Sequence, residues 1–365
     1  MLKRKDTSSK SCIFYFKPKR GDNVSSGIVN KINMLLYNCY FLIKTDYSSL
    51  FKNINHIKSV TNRNTLSIIG DMIKCSLIKG VSFSDYCYLK FYTKEFSERE
   101  TYIGKAEMYE FQKKLNNTKY VKYFINKNLF NSKFNGYIKR KSLDINKCTI
   151  EGLEQWLVDK RSIIAKPSKG AIGRGIEKIN TDKFSSGYEL LKYLRDKKLD
   201  LLEEVIIQNH KLNKLNPNSV NTIRIMTVLN KESKVNFLGA AIRMSTGKVV
   251  DNFNAGGIAA PIDLESGKIS GPAVSKNIQD EKIYYEHPLS NEKIIGFEIP
   301  HWDKVIKMVE SACHMVPEVR TVGWDVAITE DDVLLVEGNH NWCKNFFQQV
   351  FGEGKRALIL SFYDK

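Results

Sequence analysis

Gly323-Trp-Asp-Val-Ala-Ile-Thr-Glu-Asp-Asp-Val-Leu-Leu-Val-Glu-Gly-Asn339 holds two short apolar runs, 324–329 and 333–337, around the polar trio Glu330-Asp331-Asp332. Apolar runs of that length flanking a polar break predict a hairpin with a three-residue loop. Pairing Thr329 with Val333 places Ala327 opposite Leu335 and Asp325 opposite Glu337. Directly opposed residues have Cβ atoms roughly 5 Å apart, where like charges normally repel. Asn339, two residues beyond Glu337, adds an oxygen on the same face. Two carboxylates and an amide oxygen on one patch suit a hard divalent cation such as Mg²⁺. A solvated surface hairpin is the plainer alternative, because a shift of one residue in register would separate the pair.

A second stretch, Ile163-Ile-Ala-Lys-Pro-Ser-Lys-Gly-Ala-Ile-Gly-Arg-Gly175, reads as a strand bearing Lys166, a loop with three glycines, and a return strand over 175–179. Glycines let backbone N–H groups approach phosphate oxygens closely. No Gly-Lys-Ser/Thr follows, so this is not a Walker loop. The strand-like Ile176-Glu-Lys-Ile179 also excludes a dinucleotide fingerprint, which needs a helix there.

Composition bounds the rest. With 365 residues, 42% hydrophobic and 11% aromatic, the chain is expected to fold into two or three lobes. Its net charge of +17 is confined to the N-terminal part: residues 1–150 hold 28 Lys/Arg against 11 Asp/Glu, and residues 151–365 hold 29 of each. That asymmetry predicts an anionic partner for the N-terminal part, such as a glycan or a membrane-linked substrate. No aromatic-basic RNA motif or helix-turn-helix pattern points to nucleic acid. Seven cysteines (12, 39, 75, 87, 148, 313 and 343) contain no C-x-x-C pair, which speaks against a disulfide framework or zinc site. The longest apolar run, Ile32–Ile43, is too short to span a membrane, and a cytoplasmic location is expected.

Along the chain, a basic arm around Cys12–Phe16 precedes a mostly helical stretch to about 130. Within it, Tyr86, Leu89, Tyr92 and Phe96, and more loosely Tyr109, Leu115 and Tyr120, recur at helical spacing and are expected in the core. Thr149 caps a helix to Leu157, with Ile150, Leu153 and Trp156 inward. Strands follow at 162–166 and 201–207, with a helix over 187–198 between them. Asn209–Asn218 reads as a polar stretch, 221–229 and 234–243 as strands, 262–298 as a charged loop, and 301–315 as a helix. The class is α+β (mixed α/β). The domains expected are a basic, mostly helical N-terminal region (1–115), a small lobe with the glycine loop (116–200), and a large lobe with the metal site (201–365).

Lys127, Lys166, the loop 168–175, Leu202-Glu-Glu-Val-Ile206 and the set Asp325, Glu337 and Asn339 occur in an order that resembles the ATP-grasp superfamily, in which two lobes clamp MgATP. Asn221-Thr-Ile-Arg224, Ala241-Ile-Arg243, Asp251-Asn252, Gly256-Gly257 and Gly323-Trp-Asp325 bring the resemblance closest to sugar-transfer associated ATP-grasp proteins of surface-polysaccharide synthesis, related to the glutamate ligases. The resemblance spans about 120–345 and leaves the first 80 residues unmatched. It implies that Lys127 and Lys166 contact the α- and β-phosphates, with Lys119 and Lys122 as alternatives to Lys127. It further implies that Ser168, Gly170 and Gly173 close over the γ-phosphate, and that Glu203, Glu204 and Ile206 form the adenine hinge. Asp325, Glu337 and Asn339 would hold Mg²⁺. Arg224 and Arg243 would steady the transferred phosphoryl group. The implied reaction is an ADP-forming ligation of an acidic sugar or amino-acid carboxylate to an amine. Phosphoryl transfer to a sugar hydroxyl, or a non-catalytic basic binding module, are the alternatives. One departure stands out: His340-Asn-Trp-Cys343 follows where glutamate ligases carry small residues and proline. Trp342 there is a candidate for stacking on a sugar, His340 a neighbour of the metal set, and Cys343 a packing residue.

Overall fold

The computed structural model describes residues 42–43, 45–170, 175–247, 253, 256–280 and 282–363. Gly173, Asp251, Asn252, the patch Cys12–Phe16 and nearly all of Ile32–Ile43 lie outside the described residues.

Two antiparallel sheets carry the fold. The smaller contains β1 (Ser142–Asp144), β2 (Ser162–Lys166), β3 (Glu177–Asn180) and β4 (Leu201–Glu204), in the order β1-β4-β2-β3. The larger contains β5 (Thr222–Leu229), β6 (Val235–Met244), β7 (Ile258–Ile262), β8 (Ala273–Ser275), β9 (Ile283–Tyr284), β10 (Thr321–Ile328) and β11 (Val333–Asn339), in the order β11-β10-β5-β6-β7-β8-β9. The fold is α+β, as expected, with helices before and between the sheets.

Alternation along the strands sets what each face does. In the small sheet Ile163 and Ala165 point into a core formed with the helices Ile150–Leu157 and Gly187–Asp196. Thr149 caps the first of these by accepting from the Gly152 amide, and Ser186 caps the second from the Glu189 amide. Lys166 and Glu203 occupy the opposite face. In the large sheet Ile223, Ile225, Trp324 and Val326 pack with the helix Trp302–Cys313 and with Phe130 and Phe134. On the other face Met226, Val228 and Leu238 meet Trp342, Phe347 and the helix Lys105–Leu115.

The N-terminal helices Tyr47–Thr61 and Thr65–Lys79 start at Asp46 and Asn64, whose side chains cap them. They end at Asn62 and Gly80, both with positive φ. Their core includes Ile54, Ile57, Tyr86, Leu89 and Tyr92, together with Ile278 from the loop after β8. A buried ion pair, Lys344 Nζ to Asp85 Oδ1 at 2.9 Å, fastens this region to the large lobe.

Several local expectations fail for identifiable reasons. Phe96 and Tyr109 are 48% and 50% exposed, because each sits on the outward side of a short helix. The polar stretch 209–218 contains a helix, His210–Leu215, capped by Asn209 and anchored by buried Leu212 and Leu215. The charged loop 262–298 contains β8 and β9, strands too short to show a period. In the decisive hairpin the loop has four residues, because Ile328 pairs with Val333 and Val326 with Leu335. A bulge between Asp325 and Val326 then absorbs Val336 and restores the pairing of Asp325 with Glu337.

Candidate active site

The bulged hairpin completes a row of polar side chains across the large sheet. Glu337 on β11 faces Asp325 on β10, Asp325 faces Arg224 on β5, and Arg224 faces Ala241 on β6, two residues before Arg243. Directly paired residues share a face, so all four charged groups project the same way. Arg224 Nη2 donates to Asp325 Oδ2 at 2.9 Å while its Nε donates to Oδ1. Arg243 Nη2 lies 3.1 Å from Asp325 Oδ2, and both its Nε and Nη2 donate to the Thr222 hydroxyl. The Arg224 guanidinium also lies 5.9 Å from the Phe346 ring.

Gly323 makes this arrangement possible. A Cβ there would lie 2.7 Å from Trp342 Cβ and 3.3 Å from Arg224 Cδ. Trp342 itself is buried, donates to the Thr321 hydroxyl at 2.9 Å, and packs edge-on against Phe347. It is therefore a core residue and not a sugar-stacking surface, which corrects the expectation. Cys343, expected to pack, is exposed.

The two carboxylates of the row behave differently. Burial opposes ionisation of Asp325, but the charges of Arg224 and Arg243 outweigh it and hold the carboxyl below its ordinary value. Burial and the neighbouring Asp325 charge both push Glu337 up. Asn339 Nδ2 donates to Glu337 Oε1 at 3.2 Å and approaches Asp325 Oδ2 at 3.4 Å. The structure thus brings Asp325, Glu337 and Asn339 together. Among the described residues no group of three or more His, Cys, Asp or Glu side chains clusters as a metal site. The donor set here is a carboxylate pair with an amide, and Asp325 already answers two arginines. The fit to a divalent cation rests on Glu337 and Asn339, with Asp325 contributing an oxygen shared with Arg224 or Arg243: a cation would relieve the repulsion that now suppresses Glu337 ionisation. His340, beside the set, is half-buried, and burial pushes its imidazole down.

The small sheet presents the opposing wall. Lys166 is buried and donates to Glu203 Oε2 at 2.7 Å; burial, with Arg140 nearby, pulls its ammonium down. Glu203 also accepts from Arg140 Nε and Nη2, both at 3.0 Å, and from Asn131 Nδ2 at 3.0 Å. Its carboxylate is therefore fully engaged and strongly acidic. Arg140 then spans the lobes: Nη1 donates to the Leu335 carbonyl at 2.7 Å and Nη2 to the Val336 carbonyl at 3.1 Å. Those are the carbonyls of the bulge that sets Glu337. Sequence reasoning missed Arg140 because it sits in Lys139-Arg-Lys141, where it looks like one more solvated charge.

The glycine loop is pinned at its base. Ser168 donates through N–H and Oγ to Asp200, at 2.5 and 2.6 Å. Lys127 donates through its backbone to the Ser168 carbonyl and through Nζ to the Gly170 carbonyl, both at 2.9 Å. Gly170 has φ +151°, a conformation that favours glycine. Of the three lysines left open by spacing, Lys127 bonds the loop, whereas Lys119 and Lys122 are exposed. Glu204 accepts from the Lys141 amide at 2.9 Å and pairs with Lys160, while Ile206 lies half-buried in the segment after β4. Asn221, fully buried, donates to Gln208 and to the Leu212 carbonyl, and so ties the 207–219 segment to the start of β5.

Two antiparallel sheets bridged by Arg140, with the base of a glycine loop following β2, have an ATP-grasp architecture. The chain belongs to the sugar-transfer associated ATP-grasp family, whose model matches residues 106–362. No curated protein matches it. Among solved structures it is similar to the ATP-grasp ligase PsnB complexed with minimal precursor: 13% identity, 71% of this chain and 68% of that one, TM-score 0.42. It is also similar to D-alanine–D-alanine ligase from Bacillus anthracis, at 11% identity over 68% and 70% of the two chains, TM-score 0.40. A biotin carboxylase–ATP-analogue complex from Campylobacter jejuni matches at 10% identity over 67% of this chain, TM-score 0.43. The match spans about half of that longer carboxylase, 47%. No helix among the described residues is long and apolar enough to cross a membrane.

Proposed function

We propose that this protein is an ADP-forming carboxylate–amine ligase, acting on an acidic sugar or amino acid in surface-polysaccharide synthesis. The observation that carries the reading is the row Glu337–Asp325–Arg224–Arg243 facing Lys166 across the lobes. Two carboxylates adjoin two guanidiniums there, so groups suited to a cation and groups suited to phosphoryl oxygens stand side by side, which is what phosphoryl transfer asks of a protein.

ATP would lie between the β2–β3 and β10–β11 hairpins. Lys127 and Lys166 would meet its α- and β-phosphates, the base of the glycine loop at Ser168 and Gly170 its γ-phosphate, and the backbone from Glu204 to Ile206 its adenine. The Glu203 side chain holds Lys166 in place and is not free for the base. Glu337 and Asn339, with an oxygen of Asp325, would hold Mg²⁺, which supplies charge neutralisation at the β- and γ-phosphates. Arg224 and Arg243 orient the acceptor carboxylate and stabilise charge on the moving phosphoryl group. The carboxylate oxygen attacks the γ-phosphorus and ADP leaves. A neutral amine then displaces phosphate from the acyl carbon and loses a proton to solvent or phosphate.

The test is ADP release over uronic acids crossed with amino acids and amines, with hydroxylamine as a trap. A hydroxamate product marks the acyl-phosphate, whereas a stable phosphoester marks transfer to a hydroxyl and would reject the ligase. Glu337→Gln is expected to keep the fold and abolish ADP formation. Turnover at the parent rate would remove Glu337 from the metal set.

A further inference from the structure

A second cleft, of about 540 Å³, opens where the N-terminal helices meet the end of β8 in the large sheet. One wall is the start of the helix Tyr47–Thr61; the other is Ser275 to Asp280, with Phe253 and Gly256 at its side. Its volume falls within the roughly 300–1,000 Å³ of small-molecule sites.

The decisive residue is Asn53. It is 7% exposed and lines the cleft, yet its amide meets no hydrogen-bonding partner among the described residues. Its amide is not sealed away: the polar atoms open onto the cleft, where a bound hydroxyl can donate to and accept from them. The remaining lining explains what would satisfy it. Ser48, Ser275, Asn277 and Gln279 are hydroxyls and amides that both donate and accept. Asp46 and Asp280 balance Lys52 and Lys276, Asp280 is engaged by the Tyr284 hydroxyl at 2.8 Å, and Lys276 lies 4.9 Å from the Tyr88 ring. The lining thus has no surplus positive charge for a phosphate and too few apolar groups for a lipid. Its bidirectional donors and acceptors match the hydroxyls of a sugar ring.

The sheet places this cleft beside the charged row. Arg243 pairs with Ala259 on β7, and Ala259 pairs with Val274 on β8, next to Ser275. Two strand spacings separate Arg243 from β8, about 10 Å. Phe253 forms the cleft wall and packs edge-on against Phe346, the ring beneath Arg224.

We infer that this cleft is a carbohydrate-binding subsite, with Asn53 and Gln279 as its recognition residues. Binding there does not need ATP; only its description as the acceptor subsite rests on the ligase reading. The N-terminal helices would then contribute specificity through a neutral polar wall.

The test uses the full-length chain without nucleotide. Glucose, N-acetylglucosamine and glucuronic acid are compared with inorganic phosphate and glutamate by saturation-transfer NMR and calorimetry. At least one sugar is expected to bind more tightly than phosphate or glutamate. Asn53→Leu should weaken that sugar by at least about tenfold, and exposed Gln279→Ala by about threefold, with urea midpoints unchanged or raised. No sugar binding, sugar binding that both variants leave intact, or stronger binding of phosphate or glutamate would overturn the subsite. Sugar binding lost in Asn53→Leu but with no ADP formed from any substrate pair would reject the ligase and leave the subsite standing. ADP formation from a sugar acid whose KM ignores both variants would do the reverse.

Discussion

Arg140→Met tests whether the lobes are coupled through the bulge. The arginine makes two hydrogen bonds to Glu203 and one each to the Leu335 and Val336 carbonyls. Removing one partner of a buried ion pair costs about 3–5 kcal/mol when the other charge is abandoned. Glu203 keeps Lys166 and Asn131, so the lower end of that range applies. One buried and one half-buried carbonyl losing strong donors add about 1 kcal/mol more, for a total near 4 kcal/mol. Against the 5–15 kcal/mol typical of folded domains, such a loss shifts a urea midpoint visibly. Released from Arg140, the bulge loses the contact that fixes Val336, so Glu337 no longer sits reliably opposite Asp325. MgATP affinity, measured by calorimetry below the unfolding transition, should fall by at least about tenfold. Arg140→Lys retains a charge but lacks the planar fork that reaches both lobes, and should recover less than half of the loss. Glu203→Gln should cost less in the Met background than in the parent, because Arg140 is no longer there to lose its partner and only Lys166 is. A destabilisation below about 1 kcal/mol, or strict additivity of the two substitutions, would refute the coupling.

Lys166→Ala should weaken ATP binding more than Lys169→Ala, because Lys166 is buried and held by Glu203; equal affinities by calorimetry would sink that ranking. Asp85→Asn should cost about 3 kcal/mol at neutral pH, since it removes the charge that Lys344 pairs with. Lys344 holds the Asp85 carboxyl below its ordinary value in spite of burial. Its stabilisation is therefore present above about pH 4 and lost as pH falls further, so the gap between parent and variant should close in acid. A gap in urea stability that persists unchanged down to about pH 3 would contradict this assignment. The basic N-terminal part is expected to attract an acidic polymeric or lipid-linked acceptor. With a Debye length of about 8 Å at physiological salt, added salt should raise the acceptor KM and leave the ATP KM nearly unchanged. Tight duplex-DNA binding that survives moderate salt would argue for the binding-module alternative.

Local sequence pattern encodes periodicity and helix caps but not contacts between distant residues. Strand 162–166, the Thr149-capped helix and the 222–229 and 235–244 strands were legible because each repeats its period several times or carries a capping residue. The hairpin 321–339 is legible as a hairpin, yet the structure arrives at the Asp325–Glu337 pair through a different loop length from the one the sequence predicts. A loop of four residues, taken alone, places Asp325 opposite Val336 and sends Glu337 to the other face. The bulge cancels that slip, and nothing in Leu334-Leu-Val336 announces it. Its carbonyls are met from far away in the chain, by Arg140 reaching across from the small lobe. The same holds for Trp342, which by its place after the metal set reads as a ring that could stack on a sugar. Its indole is instead drawn inward by Thr321 and Phe347, which only the folded sheet brings within reach. A carboxylate pair can thus be read from two strands. The geometry that makes the pair usable is supplied by a long-range contact, from a residue that sequence alone places among the solvated charges.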